Sequence, residues 1–369
     1  MVSFELSDEQ KMVQETVNSF AADQMEPIMR ECDEQNAIPA EVISKGWELG
    51  LLGGCIPEEY EGFGEEISAV TGVIALEELG WGDLSMALHL MAPSVLAISV
   101  LDQGTEEQKK QILPAFCGEE FKAASCALVE PYYNFCASAL RTTAVNDGDE
   151  YVLNGKKCLV PLAEESENML VFAATAPGMG FAGVDAFIVP VSAKGVKVGE
   201  REKNMGIKAL ATYPVTFKDC RVPAAARLGG EAGCDFLRLL SRSRLALAAL
   251  AVGMSRRALE HSRDYATQRI AFGEPIGSRQ AIAFMIAEMA IEVDATRLLA
   301  WEAAWRCDRN IDFKKEAALA KNYAADMAMM VCDRGVQIMG GHGYVRDNPV
   351  ELWFRNARGF AAFEGFVMV

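Results

Sequence analysis

The sequence predicts an α+β chain, mainly helical, in which helices come first, a β-rich stretch follows and helices return. Three observations carry this. Apolar residues recur at helical spacing from residue 7 to about 120. Short β-branched and aromatic runs between turn residues then fill about 122 to 228. From about 232 onward, long segments carry apolar stripes with charged opposite faces. The expected domains are 1–121 (all-α), 122–230 (a β-barrel or sandwich) and 231–369 (helical). With 369 residues, 51% of them hydrophobic, the chain can bury two or three domain-sized cores.

Each element has a local reason. Ser7-Asp8-Glu9-Gln10 spells a capping box, after which Met12, Val13, Val17 and Phe20 repeat at helical spacing and Pro27 follows the helix. No targeting segment is expected ahead of it. The glycine-rich "GGCIPEEYEGFGEE" breaks the pattern, and "ISAVTGVIALEELGWGD" and "MALHLMAPSVLAISVL" resume it as strongly apolar helices. "GTEEQKKQILP" reads as a Thr105-x-x-Gln108 cap, a short helix and a stop at Pro114. "YVLNGKKCLV", "NMLVFAAT", "DAFIVPV" and "YPVTFKDCRV" read as strands. Long helices are expected around 236–268, 281–308 and 314–339.

"GMGFAG" at 178–183 has the spelling of a dinucleotide-binding loop. That motif works only where its glycines follow a strand and open a helix. Here it lies between two strands, so it is expected to be a hairpin loop and no Rossmann unit.

Composition narrows the function. A net charge of −17 and a pI near 4.8 argue against a nucleic-acid partner, since phosphate backbones need clustered Lys and Arg. The ten cysteines include no C-x-x-C pair and only three histidines exist, which does not make a zinc cage; no metal is expected. The thiols read as reduced, placing the protein in a cytoplasmic compartment. No apolar run reaches the roughly 18 residues of a membrane span.

Three features of the last 130 residues could carry chemistry. "RIAFGEPIGSRQAIAF" sets Arg269, Phe272 and Gly273 at one helix end and Gln280 at the start of the next, an arrangement able to clamp a phosphate, or simply an inter-helix loop. "QIMGGHGY" puts Gly340-Gly341 after a long helix, as a C-cap and as backbone that a ligand can approach. "RNARGFAAFEGF" sets Glu364 among Phe360, Phe363 and Phe366, where a partly desolvated carboxyl would suit a general base.

In this order, these motifs closely resemble the acyl-CoA dehydrogenase family. "FELSDEQKMVQETVNSFA", "IPEEYEGFG", "GTEEQKKQILP", "NGKK" and "MGIKALATYPVTFKDCRVP" extend the likeness over nearly the whole chain. The resemblance implies an N-terminal helical domain, a central β-domain and a C-terminal four-helix bundle. FAD would lie between the last two domains, shared with a neighbouring subunit. Arg269, Phe272 and Gln280 then match positions on its pyrophosphate and adenosine side, and Gln337, Gly340 and Gly341 match a segment supplied by the adjacent protomer. Arg244 matches an arginine of the acyl-CoA site, and Glu364 matches the catalytic base. The implied reaction is α,β-dehydrogenation of an acyl-CoA thioester to the enoyl-CoA. Electrons would pass to an electron-transfer flavoprotein from a homotetramer, or from a hetero-oligomer with a related chain.

Several positions depart from the family pattern. Val129 replaces a threonine, Phe135-Cys136-Ala137 stand at a lost Gly-Ser-Asp, and Leu159-Val160-Pro161 replace an aromatic and a hydroxyl residue. Ser241 stands where an acid is common, and Phe366 where the family continues with Thr-Ser. Pro161 offers neither a hydroxyl nor an N–H. These changes leave two alternatives beside the dehydrogenase. One is a flavin-poor or half-site subunit of a hetero-oligomer; the other is a non-oxidative acyl-CoA lyase or isomerase. Met86, Leu88, Met91 and Val95 could line an acyl tunnel or be plain core. Tyr132, Tyr133 and Phe135 would suit an aromatic or cyclic acyl group.

Overall fold

The structure is a computed structural model that describes residues 5–64 and 67–369. Phe4, in the first-helix motif, and Glu65 and Glu66, closing the glycine-rich loop, lie outside the described residues.

Helices α1 (Asp8–Phe20), α2 (Met29–Gln35), α3 (Ala40–Trp47), α4 (Ala69–Gly82), α5 (Leu84–Met91), α6 (Ser94–Gln103) and α7 (Glu106–Ile112) come first. The Ser7 and Thr105 capping boxes both form, each hydroxyl accepting from the N–H three residues on while the glutamine side chain accepts from the cap's own N–H. Among the described residues no single helix is long and apolar enough to cross a membrane. The pair α5–α6 is apolar enough together, but it bends by 43° and lies in the core.

The β-domain holds β1 (Ser125–Ala127), β2 (Thr143–Asp147), β3 (Glu150–Pro161), β4 (Asn168–Ala174), β5 (Val184–Pro190), β6 (Val196–Val198) and β7 (Thr212–Pro223), in sheet order β1-β4-β2-β3-β7-β6 with β5 paired to β4. "GMGFAG" is a hairpin connection, joining antiparallel β4 and β5 through one 3-10 turn at Gly180–Gly183. Its glycines supply left-handed turn dihedrals, φ 88° at Gly178 and 62° at Gly180. Strand β3 shifts register against β7 between Lys157 and Val160. Leu159 lies in that bulge at φ 54°, so the departure from the family pattern coincides with a local re-aiming of the strand.

Helix α8 (Phe236–Gln268) follows, then the two-residue strands β8 (Ile270–Ala271) and β9 (Glu274–Pro275), α9 (Gln280–Asp308), α10 (Lys314–Met339), α11 (Gly341–Tyr344) and α12 (Val350–Ala357). Helices α8, α9 and α10 pack on one another with α12 against α10, and α4 lies along α8. Close approach there is enforced: a Cβ on Gly253 of α8 would come within 1.9 Å of the Glu77 carbonyl oxygen of α4. Ion pairs fix α4 further, with Arg256 of α8 reaching Glu77 at 2.9 Å and Arg297 of α9 reaching it at 2.8 Å.

Candidate active site

After α12 the chain makes a 3-10 turn at Arg358–Ala361 and reaches Glu364. The three phenylalanines stack on each other, with ring centroids 5.7 Å apart for Phe360–Phe363 and 4.8 Å for Phe363–Phe366. Glu364 is largely buried, its side chain 11% exposed, but its oxygens face two cations. Arg244 of α8 donates from Nε to Oε1 at 3.2 Å and Oε2 at 3.3 Å, and from Nη2 to Oε1 at 3.1 Å. Lys321 of α10 lies 3.5 Å from Oε1. Glu364 is buried as expected, but its apolar surroundings are corrected: α8 and α10 bring two cations to the carboxylate.

The following segment is fixed as firmly. Gly365 has φ 75°, and its N–H donates to Ser243 Oγ at 3.1 Å. Phe366, Val367, Met368 and Val369 are all buried, and Met368 N–H donates to Ser94 Oγ at 2.8 Å. Met368 and Val369 form part of the wall of a cavity of about 730 Å³ shared with Cys55, Leu76, Met91 and Ile98. Of the expected tunnel residues only Met91 lines it; Met86, Leu88 and Val95 are core.

The second group gathers at the far end of α8. Arg269 caps that helix, and it lines a cavity of about 490 Å³ together with Gly340, Gly341, Tyr265 and His342. Gly340, at φ 57°, ends α10, and neither glycine would bring a Cβ within 4 Å of any other group. The Arg269 guanidinium has no ion pair among the described residues; Gln280, Gln337 and Phe272 are exposed but do not line that cavity. A free guanidinium beside open backbone suits a polyphosphate. Arg269 and Gly340-Gly341 thus meet within one chain, while Glu364 and Arg244 form a separate cluster.

The altered β-domain motifs lie between solid partners. Lys157 is fully buried, its Nζ donating to the Leu128 carbonyl at 2.9 Å and to Glu130 Oε1 at 3.1 Å. Burial pushes the Lys157 ammonium down to about 8, with Glu130 opposing the shift. Burial likewise opposes the Glu130 charge, but Lys157 and the N–H groups of Arg141 and Thr142 outweigh it and hold that carboxyl below its usual range. Val129 and Pro161 are buried, and the Leu159 N–H is taken by Glu202 at 2.9 Å. Tyr133 is fully exposed, and the Arg141 guanidinium stacks 3.9 Å above Tyr132. Ser241 turns its hydroxyl back to the Leu237 carbonyl at 2.6 Å.

Sequence reasoning missed Lys321 and Ser243, and named Cys136 only within the altered motif. Lys321 carried a signal, since it falls in the buried stripe of Ala317, Ala320 and Ala324 on α10, where a lysine needs a partner. Cys136 is exposed; a hydrogen bond from Ser138 and the charge of Arg244 hold its thiol below its usual range.

Three family models match in chain order: acyl-CoA dehydrogenase N-terminal domain over 7–120, middle domain over 125–220 and C-terminal domain over 235–366. The chain belongs to the acyl-CoA dehydrogenase family. It is 38% identical to a probable acyl-CoA dehydrogenase of Bacillus subtilis (strain 168), over 99% of this chain and 96% of that one. The structure of butyryl-CoA dehydrogenase from Megasphaera elsdenii superposes with a TM-score of 0.89 at 32% identity, covering 98% and 96% of the two chains. A structure described under the electron transferring flavoprotein of Acidaminococcus fermentans also gives 0.89, at 35% identity over 98% and 95%. This acyl-CoA dehydrogenase is an oxidoreductase and a flavoprotein of that fold.

Proposed function

We propose that this dehydrogenase oxidises a short acyl-CoA thioester to the α,β-enoyl-CoA, with Glu364 as the base that takes the α-proton. The observation that carries the reading is the cradle: a carboxylate held by Arg244 and Lys321 on a segment pinned through Gly365 and Ser243. The cofactor is FAD, which when bound supplies the acceptor for the β-hydrogen and its electron pair. Arg269, Phe272, Gln280, Gln337, Gly340 and Gly341 would hold its pyrophosphate and adenosine side.

The residues divide the remaining work. Oε1 of Glu364 is met by Arg244 and Lys321, whereas Oε2 has one long contact at 3.3 Å. Oε2 is therefore the atom that receives the proton. Arg244 fixes the plane of the carboxylate, which aims that oxygen. An alkyl α-proton is a poor acid, so the thioester carbonyl must be polarised; the Glu364 backbone N–H is the chain's donor for it, as the family pattern implies. Gly365 admits the close backbone approach.

Butyryl-CoA dehydrogenase and the electron-transferring-flavoprotein structure among the neighbours support a short acyl chain and an electron-transfer flavoprotein as acceptor. Assembly is supported by α9, where Phe284, Ile291, Leu298 and Trp305 recur every seven residues and are each about half exposed. A homotetramer, or a hetero-oligomer with a related chain, would cover that stripe. The cytoplasm is the proposed location. Glu364→Gln should leave the protein yellow and abolish anaerobic bleaching by butyryl-CoA; near-wild-type bleaching in the variant would remove Glu364 as the base.

One observation favours a second reading, a half-site subunit. Val129 and Pro161 provide no hydroxyl toward the flavin ring, and residues 366–369 are packed tightly behind the base. A colourless purified chain that becomes active only with a related subunit would select it.

A further inference from the structure

The chain that leads to the base is held from outside the helical bundle. Helix α12 runs into the turn before Glu364, and its last residues lie against the β-domain loop 199–211, which joins β6 to β7. A Cβ on Gly206 would fall 2.4 Å from the Arg355 carbonyl oxygen, so the missing side chain permits this approach. The Ile207 N–H donates to Asn356 Oδ1 at 2.7 Å, and Arg355 Nη1 donates to the Met205 carbonyl at 3.1 Å. The same loop also reaches strand β3, where Glu202 takes the Leu159 N–H at 2.9 Å. One loop therefore touches both the helix that carries the base and the β3 bulge that departs from the family pattern.

A single carboxylate of the N-terminal domain clamps that contact. Asp33 of α2 is 5% exposed. Its Oδ1 accepts from Arg355 Nη1 at 2.9 Å, and its Oδ2 accepts from Arg355 Nη2 at 2.7 Å and Arg346 Nη2 at 3.1 Å. Lys208 Nζ, on the β-domain loop, lies 3.5 Å from Oδ2, and Arg30 Nη1 lies 3.8 Å from it. Two more acids belong to the cluster, but they serve other cations. Glu351 pairs with Arg30 and Arg355, and Glu34 pairs with Arg346. Among the described residues, Lys208 pairs with Asp33 alone. Asp33 is thus the one acid of the cluster that reaches α12 and the β-domain loop at once. Burial opposes its charge, but the hydrogen bonds from Arg355 and the charges of Arg355, Lys208 and Arg30 outweigh burial and hold the carboxyl below its usual range.

We propose that Asp33 is a positioning residue for the dehydrogenation. It fastens loop 199–211 to α12 and so keeps the Glu364 segment in register with the β-domain. A side chain of the N-terminal domain then sets the aim of a base in the C-terminal domain without touching substrate. The proposal rests on Glu364 as that base.

The experiment uses the purified holoprotein in wild type, Asp33→Asn and Asp185→Asn. The first variant keeps the shape and loses the charge. The second makes the same change at an equally buried acid, paired with Arg227 at 2.8 Å away from the clamp, and is the control. Amide hydrogen exchange is followed by mass spectrometry over 199–211 and 350–366, and kcat and KM are measured with butyryl-CoA. Asp33→Asn should speed exchange in both segments together. Its kcat should fall by about 10- to 100-fold with KM within about twofold of wild type, the signature of a misplaced reacting group. Asp185→Asn should leave both segments and kcat near wild type. Lys208→Met cuts only the loop's contact with the clamp. It should speed exchange in the same two segments, and it carries the test should Asp33→Asn fail to fold. Unchanged exchange in either segment, or a kcat that falls no further than in Asp185→Asn, overturns the proposal. Should Glu364→Gln keep bleaching, the base assignment falls instead, and the exchange measurement judges the clamp alone.

Discussion

Gly365→Ala tests how the base is positioned. At φ 75° the residue is in the left-handed region, which costs an L side chain roughly 1–2 kcal/mol. The added methyl would also sit 3.1 Å from Cys126 Sγ, 3.1 Å from Leu128 Cδ2 and 3.2 Å from Leu128 Cβ. Cys126 and Leu128 are buried, so relieving those contacts adds about 1–2 kcal/mol. A total of about 2–4 kcal/mol corresponds to a fall of roughly 3–5 °C in melting temperature for a chain of this length. Because Gly365 also carries the N–H held by Ser243, relaxation moves the Glu364 backbone, and kcat should fall more than flavin content. Gly118→Ala, where a Cβ meets nothing within 4 Å, is the control and should stay within about 0.5 kcal/mol. Equal melting temperatures for the two variants, or full activity in Gly365→Ala, would refute the account of a strained, close-packed glycine aiming the base.

Two further outcomes follow from groups away from the base. Burial, with a smaller push from Asp33, raises the Asp83 carboxyl to about 7, although it caps α5 by accepting from Met86 N–H at 2.8 Å. The native state then holds a proton that the unfolded chain releases between about pH 4 and 7, so this group's contribution is lost as pH rises through that window. Asp83→Asn keeps the cap acceptor, and its advantage over wild type should grow from near nil at pH 4 to at most ~4 kcal/mol above pH 7; denaturant melts at the two pH values check this, and a pH-independent difference would contradict it. Ile291→Asp, in the middle of the exposed α9 stripe, should shift the protein to smaller species on size exclusion and lower its flavin content, since each buried isoleucine contributes about 1.5–3 kcal/mol; an unchanged elution volume would leave that stripe without the proposed role.

Much of the architecture was legible because its signals are local. Ser7 and Thr105 announce helix starts through a spacing of three residues, and "GMGFAG" is settled by the strands on either side of it. Glu364 and Arg244 were legible through family resemblance, but their contact was not, as it joins residues 120 apart in sequence. The apolar setting expected of Glu364 failed for the same reason: neighbouring phenylalanines are visible in the sequence, whereas the charges that reach the carboxylate come from α8 and α10.

Helix α8 also acts as a yardstick. Arg244 and Arg269 are 25 positions apart on one continuous rod, about 37 Å along its axis, farther than one extended FAD stretches. If FAD joins a base to an Arg269 cavity, those two groups belong to different protomers. Each subunit would then own half of two catalytic centres and the whole of none, and colour would be lost on dilution before the subunits themselves melt.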